Sequence, residues 1–326
     1  MFLIPLRPFL MQSPALQINV IDSANGWTAH IEADVTGYDF DQVETLVFAG
    51  GGNRCWWQAG VLTQLFSSGH RFPPRFVGTS GGAAVAASLL TYGAEFALES
   101  CVAAYARNPS IFDRNRRLKL GFAHTRIYPA WIRSFVNAEN LHTFRESPTR
   151  LTIAITRPSR LLGLSGSVFA GTCAHLLDKY MSNSLHPTLP RRLGLRQDFF
   201  TIDDQTSVEE TQALLVASAA APPFMNARLL HGEFALDGGY VDNAPVEEQT
   251  SAQCQRTLVL LTRHYPKLPT LFTWNERAYW QPGCKIPVST WDCTAKTDVK
   301  RAFEMGRQDA LRAVQSGLLA RSVTVV

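Results

Sequence analysis

Phe76-Val77-Gly78-Thr79-Ser80-Gly81-Gly82-Ala83-Ala84-Val85-Ala86 places one serine between Gly78-Thr79 and Gly81-Gly82. An apolar run stands before it and a run of small residues after it. A surface loop does not need that order. A side chain held at a sharp strand-to-helix turn does, and Gly78-Thr-Ser-Gly-Gly82 fits the G-x-S-x-G pattern of such an elbow. Gly78 and Gly82 let the strand bend into the helix. The Ser80 oxygen then projects from the turn, and N–H groups at the helix start can support developing negative charge. Ala83 to Ala87 suits close packing of that helix on a sheet. The competing reading is a glycine turn with no chemistry.

Working outward, Glu44-Thr-Leu-Val-Phe-Ala49 reads as a buried strand that runs into Gly50-Gly51-Gly52. Three glycines expose backbone N–H groups without side-chain obstruction. A phosphate loop would need Lys-Ser or Lys-Thr to follow, and none does. A dinucleotide fingerprint would need glycine at position 55, where the chain has Cys55. An oxyanion hole fits better, because Ser80 sits one helix–strand step away. In that reading the Gly51 and Gly52 N–H groups face an acyl oxygen. Arg54 fixes the loop by a charged hydrogen bond or favours an anionic substrate. A plain tight turn is the competing reading.

A serine hydroxyl needs a base. Asp237-Gly238-Gly239, after the short strand Glu233-Phe-Ala-Leu236, is the strongest acidic candidate, against an Asx turn that merely closes the strand. Histidine is the rival base. In the order Ser, acid, His, only His264 follows Asp237. The residues alone leave a Ser80–Asp237 dyad and a Ser80–Asp237–His264 triad both open.

The combination resembles the patatin-like phospholipase family over about residues 44–263. Gly50-Gly-Gly-Asn53-Arg54 is similar to its oxyanion loop, Gly78-Thr-Ser-Gly-Gly82 to its nucleophile motif, and Asp237-Gly-Gly239 to its aspartate motif. Ala217-Ser-Ala-Ala-Ala-Pro222 looks like the family as well. The resemblance implies a Ser–Asp dyad acting on acyl esters, commonly lipids, with no metal or other cofactor. Ser80 would attack, Asp237 would take its proton, Gly51 and Gly52 would hold the oxyanion, and Gly50, Asn53 and Arg54 would support the loop. One departure is Cys55, where the family loop usually carries glycine. Two other readings stand beside the dyad: a non-hydrolytic lipid- or protein-binding module on the same fold, and an esterase or peptidase using His264.

Elsewhere, Trp56–Ser67 has helical apolar spacing ended by Gly69, and Arg75–Val77 reads as a strand. Helices are expected over 82–91, 94–106, Cys173–Met181 and 208–220, the last with capping-box spacing in Ser207-Val-Glu-Glu210. Thr28–Val35, Leu151–Thr156 and Thr257–Thr262 read as strands, and a helix closes the chain over 298–316. Residues 109–150 read poorly and 265–296 look irregular. Strands alternating with helices predict an α/β fold of three layers, a mostly parallel central sheet flanked by helices, with reactive groups beyond the carboxyl ends of the strands. The expected organisation is a leader at 1–43, a catalytic core at 44–263 and a C-terminal extension at 264–326 packed on the same domain.

The 326 residues carry 31 Lys and Arg against 27 Asp and Glu, a formal charge of +4. That is too weak to argue for nucleic acid as a partner. Basic residues do cluster at Arg114–Lys119, at Arg157 and Arg160, and at Arg191, Arg192 and Arg196, where solvated loops compete with contacts to an anionic surface. The six cysteines make no C-x-x-C pair, so free buried thiols are the expectation, with a Cys284–Cys293 bridge left open. Cys55 beside Arg54 reads as packing rather than as an activated thiol. No zinc-ligand spacing occurs. No apolar run is long enough to span a membrane, and the start lacks the basic front of a secretion signal, so a cytoplasmic protein is expected. Peripheral membrane contact stays open. Aromatic stretches at Tyr128–Phe135 and Leu271–Trp280 offer an acyl pocket or a membrane contact, against the plainer reading of core.

Overall fold

A computed structural model describes residues 16–22, 27–33, 36–114, 120–177 and 185–320. The central strands are β-rich apolar runs because both of their faces are covered. Strand β1 spans Leu16–Asp22, β2 Trp27–Ala33, β3 Thr45–Phe48, and helix α1 Trp56–Ser67. Strand β4 (Arg75–Thr79) leads into α2 (Gly81–Leu89), then α3 (Ala94–Ala106). The poorly read stretch holds a hairpin, β5 (Phe112–Arg114) with β6 (Leu120–Phe122), and helices α4 (His124–Phe135) and α5 (Leu141–Glu146). Strand β7 (Arg150–Arg157) is followed by α6 (Gly163–Leu177), α7 (Leu189–Arg192), β8 (Arg196–Thr201) and α8 (Val208–Ser218). A hairpin, β9 (Arg228–Leu230) and β10 (Glu233–Asp237), precedes α9 (Ser251–Gln255) and β11 (Thr257–Leu260). Strands β12 (Leu271–Trp274) and β13 (Arg277–Trp280) and helix α10 (Val299–Gln315) complete the chain.

Alternate residues of the central strands face opposite ways, as pleating requires. Leu46, Phe48, Phe76, Leu258 and Leu260 join the large core that also takes side chains from α1, α2, α3, α4, α8 and α10. Val47, Ala49, Val77, Val259 and Leu261 join a smaller cluster with Ala244, Phe272 and Tyr279, closed by Leu185, Val246, Tyr265 and Leu268. These six helices therefore cover one face, while Leu185, Val246, Tyr265 and Leu268, all outside the helices, close the smaller cluster on the other.

The sheet is mixed, which corrects the expected mostly parallel order. Its centre, β13-β11-β3-β4-β7, is parallel. Its flanks are antiparallel, because β1–β2, β9–β10 and β12–β13 are hairpins and β8 and β10 both run against β7. The segment 265–296, expected to be irregular, supplies β12 and β13. Asn275 and Glu276 join them with φ of 47° and 62°, the two left-handed residues that a tight hairpin turn demands.

Small residues decide the closest helix contact. Gly60 on α1 faces the Phe303 carbonyl and Gly306 on α10 faces the Trp57 carbonyl so closely that a Cβ at either would overlap it. The Trp57 indole N–H then reaches the buried Asp309 carboxylate at 2.7 Å. At α8, Ser207 accepts from the Glu210 N–H at 3.1 Å, but the Glu210 carboxylate goes to His231 at 3.1 Å. Only half of the expected capping box forms. The helix expected over Cys173–Met181 is helical from Cys173 to Leu177, as part of α6, and residues 178–181 lie outside the described residues. Tyr128, Trp131, Ile132 and Phe135 are buried, as are Leu271, Phe272, Tyr279 and Trp280, so both aromatic stretches mainly fill core. All six cysteines are free, Cys284 and Cys293 included. Of the first basic cluster, residues 115–119 lie outside the described residues. Among the described residues no helix is long and apolar enough to cross a membrane.

Candidate active site

Ser80 follows β4 directly and precedes α2, and its backbone sits at φ 54°, ψ −129°. A non-glycine residue there carries about 1–3 kcal/mol of strain, so its surroundings must hold it. They do. The Ser80 N–H donates to Ser218 Oγ at 2.8 Å, and the Ser218 hydroxyl donates to the Ala154 carbonyl at 2.7 Å. The Ser80 carbonyl accepts from Tyr128 at 3.4 Å. Gly78 is needed for approach: a Cβ there would lie 2.5 Å from Ala83 Cα. At Gly82 it would lie 2.5 Å from the Phe48 carbonyl oxygen. The elbow thus closes onto the helix after it and onto β3.

Strand register brings Asp237 to this point. β8 occupies one edge of β7 over residues 152–157. β4 and β10 must therefore share the other edge, and they arrive along it from opposite directions. β4 stops with Thr79 opposite Ala154, and β10 stops with Asp237 opposite Ile155. The expected convergence at strand carboxyl ends is met, but through a head-on meeting of antiparallel strands. A Cβ on Gly238 would sit 2.9 Å from the Thr79 side chain, so the two ends abut.

Asp237 is only 6% exposed and Ser80 only 4%. Burial raises the Asp237 carboxyl from an ordinary 3.8 to about 6, against the opposing pull of hydrogen bonds from the Ser80 side chain and the Gly239 N–H. The Gly239 bond is 2.8 Å long. At neutral pH the carboxyl is ionised and still basic enough to take a proton.

Glycine loop and elbow are in contact, because a Cβ on Gly50 would lie 3.3 Å from Ser80 Cβ. Peptide planarity orients the loop, since each C=O points opposite to the next N–H. The Gly50 carbonyl accepts from Thr262 Oγ1 at 2.5 Å and Asn243 Nδ2 at 2.8 Å, which turns the Gly51 N–H the other way. The Gly51 carbonyl accepts from the Arg54 backbone at 3.2 Å and from Arg54 Nε at 3.3 Å, which does the same for the Gly52 N–H. Arg54 thus braces the loop. Gly52 has φ 53° and its Cα lies against the Thr290 carbonyl. Asn53 donates to the Ser289 and Asp292 carbonyls at 2.8 Å and accepts from Tyr105 at 2.7 Å, so the C-terminal segment clamps the loop.

Cys55 has φ −64°, ψ −16°, ordinary helical angles that a β-carbon tolerates, so the departure from glycine costs the loop nothing. Burial pushes its thiol far up, and it serves as packing. A cavity of about 20 Å³ lies beside Gly52, Gly81, Tyr128 and Trp131, room for about one water. His124 lines it, kept neutral by burial that lowers its pKa to about 4.

His264 stands apart from this arrangement in its bonding: its Nδ1 meets the Pro282 carbonyl at 2.9 Å. Ser218, Asn243 and Thr262 were not singled out from the sequence. Asn243 had a signal, lying just beyond Asp237-Gly-Gly239 and two residues before Pro245. Ser218 stood inside an alanine run, with nothing to say that its hydroxyl holds the elbow.

The family model for patatin-like phospholipases matches residues 46–248. Among solved structures, the crystal structure of VipD from Legionella pneumophila is similar at 11% identity, covering 95% of this chain and 72% of its own, with a TM-score of 0.41. That likeness is too weak to carry an argument. No curated protein matches the chain.

Proposed function

The chain belongs to the patatin-like phospholipase family, a family of lipid hydrolases, and from that premise we propose that it is a serine acyl-ester hydrolase acting through an acyl-enzyme. The observation that supports this reading most is the pairing of a serine at φ 54° with a buried carboxyl whose pKa is raised to about 6. In the proposed reaction Asp237 takes the Ser80 proton as Oγ attacks the ester carbonyl. The Gly51 and Gly52 N–H groups, turned away from their braced carbonyls, hold the oxyanion. The intermediate collapses, and Asp237 returns the proton to the leaving alkoxide. Asp237 then draws a proton from water as that water attacks the acyl-enzyme, and it returns the proton to Ser80 Oγ as the second intermediate collapses, which releases the fatty acid and restores the Ser80 hydroxyl and the Asp237 carboxylate. Ser218 keeps the Ser80 N–H occupied, so that group is not counted among the oxyanion donors.

The test is acyl release from short nitrophenyl esters and from mixed lipid vesicles, with Ser80→Ala and Asp237→Ala beside the parent and folding checked by circular dichroism. Both variants should lose at least about 10³-fold in turnover. His264→Ala should stay within a few-fold of the parent; a loss matching that of Asp237→Ala would instead assign a triad. Turnover that survives Ser80→Ala sinks the mechanism, and a parent that binds lipid without turnover assigns a binding module.

A further inference from the structure

Helix α6 reverses the usual arrangement of a surface helix. Its fifteen residues, Gly163 to Leu177, include no Asp, Glu, Lys or Arg. The buried stripe is made of small residues, Ser167, Gly171 and Ala174. Large apolar residues face outward instead. Phe169 and Leu176 are seven residues apart, hence on one stripe, and the exposed Leu162 stands just before the helix. Phe169 is 73% exposed, and Leu161, just before the helix, is 96% exposed. An ordinary surface helix hides its large apolar side chains, and an apolar patch left in solvent marks a contact surface.

Positive charge frames this stripe. Arg160 and Arg196, with Ser159, Leu161 and Gly194, line an open cavity of about 300 Å³ at the start of α6. Helix α7 packs against α6 and presents Arg191 and Arg192 to solvent between the exposed Leu189 and Leu193. Of the nearby acidic groups, Glu233 pairs with Arg196 at 3.2 Å and Asp198 with the buried Arg157 at 2.8 Å. Among the described residues Arg160, Arg191 and Arg192 form no ion pair. Two basic clusters that are 31 residues apart in sequence, Arg160 and Arg191, thus flank one apolar helix.

We propose that the face formed by α6 and α7 docks on an anionic phospholipid bilayer. Leu162, Phe169 and Leu176 enter the acyl boundary, and Arg160, Arg191 and Arg192 meet headgroup phosphates. Apolar insertion and basic attraction together form the two-part signal that holds an interfacial helix. The face also adjoins the candidate site. Gly171 lies against the ring of Tyr240, three residues from Asp237. Docking therefore sets the bilayer beside the ester-cleaving groups; that consequence rests on the hydrolase reading, whereas docking itself does not.

The experiment is flotation of the intact Ser80→Ala chain with vesicles of phosphatidylcholine, alone or mixed with phosphatidylserine. Binding should favour the mixed vesicles and weaken with salt. Replacing Arg191→Gln and Arg192→Gln together should cut binding to them by about tenfold or more. Replacing Phe169→Ser and Leu176→Ser together should cut binding more than about tenfold at either composition. All four positions are exposed, and circular dichroism checks the folds. Equal binding to both vesicle types, or variants that bind like the parent, overturns the proposal. A solution dimer that Phe169→Ser abolishes, with no vesicle binding, overturns it too and assigns the face to a second copy. Turnover of a soluble ester by the Ser80-containing chains is measured apart. Flotation without turnover removes the hydrolase reading and keeps the docking face; turnover without flotation does the opposite.

Discussion

At the scale of single residues, Asp237 is held by two competing effects, and burial wins. Its carboxyl rises to about 6 although Ser80 and Gly239 both donate toward the ionised form. If Asp237 is the base proposed above, turnover should rise tenfold per pH unit below about 6 and level off above it, which a pH–rate profile reads directly. Stability runs the other way. The folded value lies above the unfolded 3.8, so the folded chain binds the proton more tightly. That contribution is complete below about pH 4 and is lost as pH rises through about 6. Asp237→Asn removes the buried anion and keeps an acceptor for Gly239. It should abolish turnover yet stabilise the fold by about 1–3 kcal/mol at pH 7.5, with the gain vanishing near pH 4. Thermal melts of both chains across pH would refute the assignment if the gap stayed constant or reversed.

The same scale shows what was legible locally. The serine, the glycines around it and the aspartate stood out because each needs a particular residue type at a turn. Ser218 and Thr262 did not, because a hydroxyl that braces a backbone group is no different in sequence from any other hydroxyl.

Among the elements, the crossing of α1 and α10 turns on two glycines. Alanine normally helps a helix by about 1 kcal/mol relative to glycine. Gly306→Ala should do the reverse here, because its Cβ would overlap the Trp57 carbonyl and push the helices apart, at a cost of about 1–3 kcal/mol. The midpoint of denaturant unfolding gives the sign. A stabilised variant would mean that the helices do not approach so closely. Helix α1 was readable to its ends, Trp56 to Ser67, because its apolar spacing and Gly69 agree. The β12–β13 hairpin was not, since Asn275-Glu276 lacks the glycine that usually announces such a turn. Helix α6 was read only in part, over Cys173–Leu177 of Gly163–Leu177: its outward face is apolar, so periodicity could not tell inside from outside.

For the whole molecule, residues 264–320 are wired into the rest. Strand β13 pairs in parallel with β11, α10 packs on α1, and Ser289, Thr290 and Asp292 take up the glycine loop. A chain ended at residue 263 loses all three contacts and leaves the β11 edge open. We expect it to lack a cooperative melt and near-ultraviolet dichroism; a folded, active 1–263 would show the extension to be dispensable.

By itself the sequence determined the local geometry of three turns. The glycine loop, the serine elbow and the Asp237 turn are each written in contiguous residues, because a sharp bend or a close backbone approach admits few side chains. It also determined that strands and helices alternate, through apolar periodicity. Tertiary structure alone decided which turns meet and how. Ser80 and Asp237 come together because β4 and β10 run head-on along one edge of β7, a register that depends on β8 holding the other edge. The raised pKa of Asp237 likewise belongs to the assembled fold, since desolvation is a property of everything packed around a group and of no residue alone.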